Sequence, residues 1–233
     1  MSGRLTELAE QWAIAGAGVA AIERFLGLLE ADETAPTTVR DRARSVDAHV
    51  ADALSGLAVP QLAAAATVAD LGAGAGVPGL ILAAARPALH VTEVDSVGRK
   101  CAFMERAIAA MGLDNAAVAC DRAETWAAGR GACDAVTARA LAPLPVLVEY
   151  AAPLLADVGV LVAWKGVPAP GEEADGAAAA EILGLEQSDV LDVPPFPGAD
   201  RRRLYVYLKV RSLPNGYPRR PGMARKRPLQ AST

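Results

Sequence analysis

Hydrophobic positions follow a helical spacing at the start of the chain and change to short alternating blocks after residue 66. In residues 5–29 apolar side chains recur every three or four positions, although Gly16 and Gly18 weaken the pattern. This spacing predicts an amphipathic helical face. Residues 39–57 repeat it after a short turn. We therefore expect residues 1–60 to form an N-terminal helical cap.

From residue 67 onward, blocks rich in Val, Ala and Leu alternate with helical stripes. Seven blocks have the length and composition of strands. They are residues 68–71, 90–95, 116–120, 133–137, 158–164, 186–193 and 203–210. Strands that alternate with helices predict an α/β domain over residues 61–211. We expect a mostly parallel, doubly wound sheet, with a ligand site at the carboxyl ends of its strands.

The most informative stretch is the glycine-rich loop after the first predicted strand. Residues 70–79 read Asp-Leu-Gly-Ala-Gly-Ala-Gly-Val-Pro-Gly, and helix-forming Leu and Ala residues follow. Glycines let a ligand approach the main chain closely, and the start of a helix offers unpaired N–H groups. We therefore expect a nucleotide-like ligand to lie on this loop.

Two kinds of cofactor fit the loop. Residues 74–79 match the G-x-G-x-x-G fingerprint of dinucleotide sites, and Asp95 lies about twenty residues further on. The alternative is the D-x-G-x-G-x-G motif of class I S-adenosylmethionine methyltransferases, which starts at Asp70 and includes Gly72 and Gly74. Beside a pyrophosphate Asp70 would be repulsive, whereas it would attract the ammonium and sulfonium of S-adenosylmethionine. That cofactor is therefore favoured, with Asp95 accepting hydrogen bonds from its ribose hydroxyls.

Charge is distributed unevenly along the chain. The 233 residues carry a net charge of −4, but residues 200–233 hold ten Lys and Arg residues and one acid. The preceding residues therefore carry a large excess of acid. Such a polarised chain indicates phosphate contacts at its basic end. We expect residues 212–233 to be a Pro- and Arg-rich tail that is poorly ordered alone and that contacts phosphate groups.

The three cysteines, Cys101, Cys120 and Cys133, show neither metal-ligand spacing nor a pairing pattern. This fits a reducing cytoplasm, and we expect all three to be small buried side chains. No signal-peptide pattern and no apolar run of roughly 20 residues is present. We therefore expect a monomeric cytoplasmic protein with no metal and no membrane contact.

Several short motifs resemble, in order and spacing, those of one enzyme family. Besides the loop they are Val-Asp-Ser with a following Arg-Lys at 94–100, Asp-Arg-Ala-Glu at 121–124, Thr-Ala-Arg-Ala at 137–140, Trp-Lys-Gly at 164–166 and Tyr-Pro-Arg-Arg-Pro-Gly at 217–222. The set is similar to that of the RsmG (GidB) family, which methylates N7 of a guanosine in small-subunit (16S) ribosomal RNA. The W-N-x-x-x-N-L-T segment usual in that family's N-terminal helices is not recognisable here.

The resemblance implies a class I, Rossmann-like methyltransferase fold, S-adenosylmethionine as cofactor, and 16S ribosomal RNA or a 30S particle as partner. Carried over by position, the cofactor contacts fall on Gly72, Val77, Ala123, Glu124 and Arg139.

Guanine N7 has an in-plane lone pair and no proton, so its attack on a methyl group needs no general base. We therefore expect catalysis by positioning. Arg139 and Lys165 are the candidates for contacting a phosphate or guanine O6. A methyltransferase for another RNA or a small molecule, and a nicotinamide-dependent oxidoreductase, are the alternatives.

Overall fold

A computed structural model describes residues 3–231; the outer ends of the expected cap (1–2) and tail (232–233) lie outside that range. At the centre is one seven-stranded sheet. Its strands are β1 (Thr67–Leu71), β2 (His90–Val94), β3 (Ala116–Ala119), β4 (Cys133–Arg139), β5 (Leu155–Lys165), β6 (Leu185–Asp192) and β7 (Arg203–Lys209). All seven predicted strands are confirmed.

The strands lie in the order β3-β2-β1-β4-β5-β7-β6. β1 pairs in parallel with both β2 and β4, whereas β7 runs antiparallel to β5 and β6. The chain thus builds outward from β1 on one side and from β4 on the other. Open α/β sheets bind ligands beyond the carboxyl ends of their strands where the order reverses in this way.

Helices form the cap and cover both faces of the sheet. They are α1 (Gly3–Gln11), α2 (Gly16–Ala31), α3 (Arg42–Ser45), α4 (Asp52–Leu54), α5 (Pro60–Ala63), α6 (Gly79–Ala85), α7 (Gly98–Met111), α8 (Leu144–Ala151), α9 (Glu172–Leu183) and α10 (Met223–Lys226). A π-helical turn (Val46–Ala51) and 3-10 turns (Ser55–Ala58, Ala127–Gly129) complete the set. None of the helices between residues 3 and 231 is long and apolar enough to cross a membrane.

Side chains of the central strands alternate between two cores on opposite faces of the sheet. Along β5, Val160, Val162 and Trp164 pack with the cap, α6 and α7, whereas Leu161 and Ala163 pack with α8 and α9. All five are buried. A slip of one residue would exchange the two sets, so burial on both faces fixes the register. That register places the carboxyl ends of β1, β2, β3 and β4 side by side.

The C-terminal tail packs against the body, contrary to the expectation of a poorly ordered segment. Leu213, Tyr217 and Leu229 contact the core around α8, where Ala224 is buried. Arg219 forms an ion pair with a buried carboxylate of α8. The composition of the tail did not indicate this packing. A Pro-rich segment has little conformational entropy to lose, so a few contacts are enough to order it.

Two of the three cysteines are paired, which corrects a second expectation. Cys101 in α7 and Cys120 directly after β3 form a disulfide, with their Cα atoms 5.7 Å apart. Cys133 is free and buried, as expected. The separation of 19 residues carries no signature, because the fold brings the two side chains together. Disulfides are rare in reducing compartments, so cysteine usage no longer supports a cytoplasmic location.

Candidate functional site

A cavity of about 340 Å³ opens at the carboxyl ends of β1, β2 and β3. The sheet side of its wall is formed by residues that directly follow strands, and the opposite side by α8 and α10. Its lining residues are Gly72, Val94, Asp95, Ser96, Val97, Lys100, Asp121, Arg122, Ala123, Glu124, Leu141, Tyr150 and Arg225. The cavity thus lies where the strand order reverses, which is the location that the sequence predicts.

Asp95 connects two walls of the cavity. Its Oδ2 accepts hydrogen bonds from the Gly74 N–H, at 3.2 Å, and from the Lys100 ammonium, at 3.2 Å. Its Oδ1 accepts the Val97 N–H at 3.0 Å. Three donors, from the β1 loop, from the residue before α7 and from α7 itself, therefore fix the orientation of a carboxylate that is only 5% exposed. Gly74 does not line the cavity and acts through Asp95.

Glu124 is held by the C-terminal segment. Its Oε1 accepts the Gly222 N–H at 2.9 Å, and the residue is 9% exposed. The loop that carries Glu124 is itself fixed by Asp121, whose Oδ1 accepts from the Arg122 N–H at 2.7 Å and from the Thr125 hydroxyl at 2.6 Å. The predicted residues Ala123 and Glu124 therefore both reach the cavity on a rigid turn.

Gly72 lines the cavity in a backbone conformation that favours glycine. Its φ is +64°, and a Cβ at this position would overlap the side chain of Leu141. Leu141 lies in the same cavity wall. A side chain at position 72 would therefore strain the backbone and displace the wall.

Asp70 does not reach the cavity, contrary to the expectation that it meets a cofactor ammonium. The residue is fully buried. Its Oδ2 accepts the Gly79 N–H at 3.0 Å, at the start of α6, and its Oδ1 accepts the Thr137 hydroxyl at 2.8 Å. Asp70 therefore fixes the conformation of the loop from its buried side. Val77 is also buried and does not line the cavity.

The side chain of Arg139, at the end of β4, binds to residues of the cap. Its guanidinium donates to Asp52 Oδ2 at 2.9 Å and to the Ala48 carbonyl at 2.8 Å. Asp52 is fully buried, and its Oδ1 lies 2.7 Å from Arg202 Nε. This second contact lacks good hydrogen-bond alignment, so we regard it as charge pairing. One buried carboxylate thus joins the cap to β4 and to the start of β7.

His49 lies beside this cluster rather than on Asp52. Its Nε2 contacts the Thr37 hydroxyl at 3.1 Å, and its Nδ1 lies 3.5 Å from Arg139. Burial, followed by the Arg139 charge, lowers the pKa of His49. In a regular α-helix, residues three apart such as His49 and Asp52 lie on one face, and the π-helical turn at Val46–Ala51 alters that spacing.

Lys165, at the end of β5, also has a partner. Its Nζ lies 2.6 Å from Glu172 Oε1, and both side chains are largely buried. Lys165 pairs across the sheet with Arg203, and Arg139 pairs with Trp164. These cations share the edge of the sheet at which the cavity opens. We call the following set the basic edge: Arg139, Lys165, Arg201, Arg202 and Arg203.

Four predicted residues line the cavity, namely Gly72, Asp95, Ala123 and Glu124, whereas the residues that arrive from α8 and α10 were not predicted. Tyr150 and Arg225 line the cavity from α8 and α10, and Lys100 donates to Asp95. Lys100 follows Asp95 by five residues, a local signal that could have been used. Nothing local to Tyr150 or Arg225 points to the cavity, since both arrive through tertiary packing.

The polar groups of the cavity suit a nucleoside more than a metal. Asp95 and Glu124 present carboxylates that can accept hydrogen bonds from ribose hydroxyls or an exocyclic amine. Across residues 3–231, no cluster of three or more His, Cys, Asp or Glu side chains could hold a metal ion. Because Asp70 is buried, its charge does not discriminate between an adenosyl sulfonium and a dinucleotide.

Comparison with known proteins separates these two possibilities. Residues 21–197 match the GidB family model, described as rRNA small subunit methyltransferase G. Proteins named ribosomal RNA small subunit methyltransferase G are similar over most of the chain. The relative from Rubrobacter xylanophilus is 43% identical, covering 78% of this chain and 72% of its own. The relative from Moorella thermoacetica is 36% identical, covering 91% and 90%.

Solved structures agree at the level of the fold. A predicted O-methyltransferase from Agrobacterium tumefaciens superposes with a TM-score of 0.53 at 22% identity, covering 68% of this chain and 80% of its own. The antibiotic-resistance methyltransferase Kmr gives a TM-score of 0.50 at 19% identity, covering 67% and 93%. The α/β sheet described above is therefore that of class I S-adenosylmethionine-dependent methyltransferases.

Proposed function

The chain belongs to the GidB family of small-subunit ribosomal RNA methyltransferases, and we propose that it methylates N7 of a guanosine in 16S ribosomal RNA. The observation that carries the proposal is the cavity at the reversal point of the sheet, lined by Gly72, Asp95 and Glu124, in a chain with this membership. The enzyme is then a methyltransferase that uses S-adenosylmethionine. Because the substrate is a ribosomal RNA, we also infer a cytoplasmic location.

Cofactor binding falls to residues that already line the cavity. Asp95 has its carboxylate oriented by three donors and is suited to the ribose hydroxyls. Ala123 and Glu124 lie on the turn after β3 and are suited to the edge of the adenine ring. Gly72 keeps the main chain open to the ligand. Asp70, Gly74 and Val77 support this site from behind, as part of the loop rather than as its surface.

The reaction places its main demand on positioning. Bound S-adenosylmethionine supplies an electrophilic methyl group, and guanine N7 carries a lone pair without a proton, so the chain needs no general base. Holding the two reactants in line can contribute about 7–11 kcal/mol at best.

The basic edge is the proposed RNA surface. Arg139 and Lys165 end β4 and β5, and Arg201, Arg202 and Arg203 lead into β7, so all five lie at the end of the sheet at which the cavity opens. An RNA backbone bound there would approach the methyl donor from the β5 and β7 side. Arg139 keeps Asp52 as its partner yet has further donors among its five N–H groups, and Lys165 has three donors. We assign both to phosphate or to guanine O6, because a cation on N7 would compete with the methyl group.

Methyl transfer tests the proposal directly. With labelled S-adenosylmethionine and small-subunit RNA, we expect label in RNA that co-migrates with 7-methylguanosine after nucleoside digestion. An Arg139→Lys variant keeps a positive charge next to buried Asp52 but loses the planar set of donors. It is expected to transfer much more slowly while keeping its affinity for S-adenosylhomocysteine. Label in another RNA, in a small molecule, or in no acceptor would refute this substrate. Binding of a nicotinamide cofactor instead would point to an oxidoreductase.

Gly72→Val is expected to abolish detectable binding of S-adenosylhomocysteine in calorimetry. The substitution forces a β-branched residue to a φ of +64° and pushes on Leu141. Backbone strain of this kind costs on the order of 1–3 kcal/mol even before the cavity is filled. Gly98→Ala is the matched control, since a Cβ there has open space. Equal affinity in Gly72→Val and wild type would remove the loop from the cofactor site.

A further inference from the structure

The last described residues of the chain form a strap over the cavity, which we define as residues 217–231. Its anchor is Arg219, whose Nε donates to Glu149 Oε1 at 2.7 Å and whose terminal nitrogen also contacts Glu149 Oε2. Glu149 is 2% exposed, in α8. A bidentate, charge-assisted pair of this kind is among the stronger side-chain contacts. The strap is therefore fixed to the helix that forms one wall of the cavity.

From this anchor the strap reaches the cofactor residues. The Gly222 N–H donates to Glu124 Oε1 at 2.9 Å. One turn later, Arg225 donates to the Leu141 carbonyl at 3.1 Å. Ala224 between them is buried against α8. Two walls of the cavity, the turn after β3 and the segment after β4, are thus tied together by the strap.

Arg225 also forms part of the cavity surface. It lines the cavity with Glu124, Tyr150 and Leu141, and its side chain is exposed. A guanidinium is planar, always charged, and able to stack on an aromatic ring or pair with a carboxylate. S-adenosylmethionine and S-adenosylhomocysteine both carry an adenine ring and a carboxylate. The strap therefore presents a group with the chemistry to bind either end of the cofactor.

We propose that the C-terminal strap is a part of the cofactor site, in which it closes the cavity with Arg225 and holds Glu124 in its binding position. This rests on the proposed function and extends it, because it assigns the basic tail to the methyl donor. It also differs from the expectation drawn from charge, that the tail serves to contact phosphates.

The test measures S-adenosylhomocysteine binding by calorimetry, without RNA and without turnover. Arg225→Ala is expected to weaken binding about tenfold or more, since a lost hydrogen bond to a charged group corresponds to about a tenfold change. Arg220→Ala is the matched control, because it removes the same charge from an exposed strap position outside the cavity. It is expected to bind as wild type does. Arg219→Ala, which frees the anchor, should weaken binding as well.

RNA binding by the same variants distinguishes the strap proposal from an RNA-binding role of the tail. If Arg225→Ala and Arg219→Ala bind S-adenosylhomocysteine like wild type but lose affinity for small-subunit RNA, the tail is an RNA arm and the strap proposal fails. Far-ultraviolet circular dichroism of each variant confirms that it is folded. If wild type itself binds no S-adenosylhomocysteine, the proposed function fails, which is distinguishable from failure of the strap.

Discussion

Replacing Asp52 by Ala is expected to lower the free energy of unfolding by about 3–5 kcal/mol, the usual cost of breaking a buried ion pair from one side. Asp52 is fully buried between Arg139, at 2.9 Å, and Arg202, at 2.7 Å. Both guanidiniums are mostly buried, so neither can be solvated freely after the carboxylate is lost. The cap would also lose its charged link to β4 and β7.

The matched control is Asp47→Ala, in the turn of the cap that precedes Asp52. Asp47 pairs with Arg4 at 3.1 Å, but both side chains are about one-third exposed. An exposed pair contributes roughly 0–1 kcal/mol, so this variant should unfold almost as wild type does. Urea unfolding followed by circular dichroism measures both. An equal loss of unfolding free energy in the two variants would show that the buried ion pairs of Asp52 stabilise the cap no more than an exposed pair does.

The partners of Asp52 could not be predicted from the sequence, unlike some residues of the cavity. Asp95 could be predicted because it ends a predicted strand, and strand ends meet at one edge of a parallel sheet. Glu124 lies five residues beyond β3, and the family resemblance placed it in the site. Asp52 and Arg139 are 87 positions apart. Nothing in local spacing says which acid a distant arginine will meet. The same is true of Cys101 with Cys120, and of the strap with Glu124.

Asp70 illustrates a different limit. The D-x-G-x-G-x-G pattern correctly located the loop, but we assigned the acid to the ligand although the structure buries it beneath the loop. Its partners are the start of α6 and a hydroxyl of β4. A motif records that a residue is needed at a position, whereas only the fold shows which way the side chain points. The functional role of Asp70 is therefore one of organising the loop.

Beneath the same loop lies a second buried acid, Glu93, which we expect to make stability depend on pH. Asp70 and Glu93 are register partners in β1 and β2, and both are fully buried. Neither carboxyl oxygen of Glu93 has a hydrogen-bond partner among the described residues. A Cβ on Gly79 would overlap the Glu93 carboxyl, so the group is confined as well as buried. Two adjacent buried carboxyls cannot both be charged at low cost.

The groups around this pair determine the sign of the effect. Burial raises the pKa of Asp70 to about 6, although the Thr137 hydroxyl, the Gly79 N–H and the Arg139 charge all favour its ionised form. Burial, followed by the charge of Asp70, raises the pKa of Glu93 well above its usual value. When the pKa of a carboxyl is higher in the folded state than in the unfolded state, the folded protein binds more protons between the two values. Stability therefore falls as pH rises through that interval.

Glu93→Gln is expected to remove the larger part of the fall in stability that accompanies rising pH. The wild-type free energy of unfolding should decline from about pH 5 upward, by as much as about 1.4 kcal/mol per pH unit for each proton. The variant should decline less, so that its advantage over wild type grows with pH. Urea unfolding at pH 5, 6, 7 and 8 measures the difference.

Glu186→Gln, on the exposed side of β6, is the control and should follow wild type at every pH. If Glu93→Gln also runs parallel to wild type, Glu93 is ionised in the folded protein across this range, as it is in the unfolded chain. The buried pair would then not be the source of the pH dependence of stability.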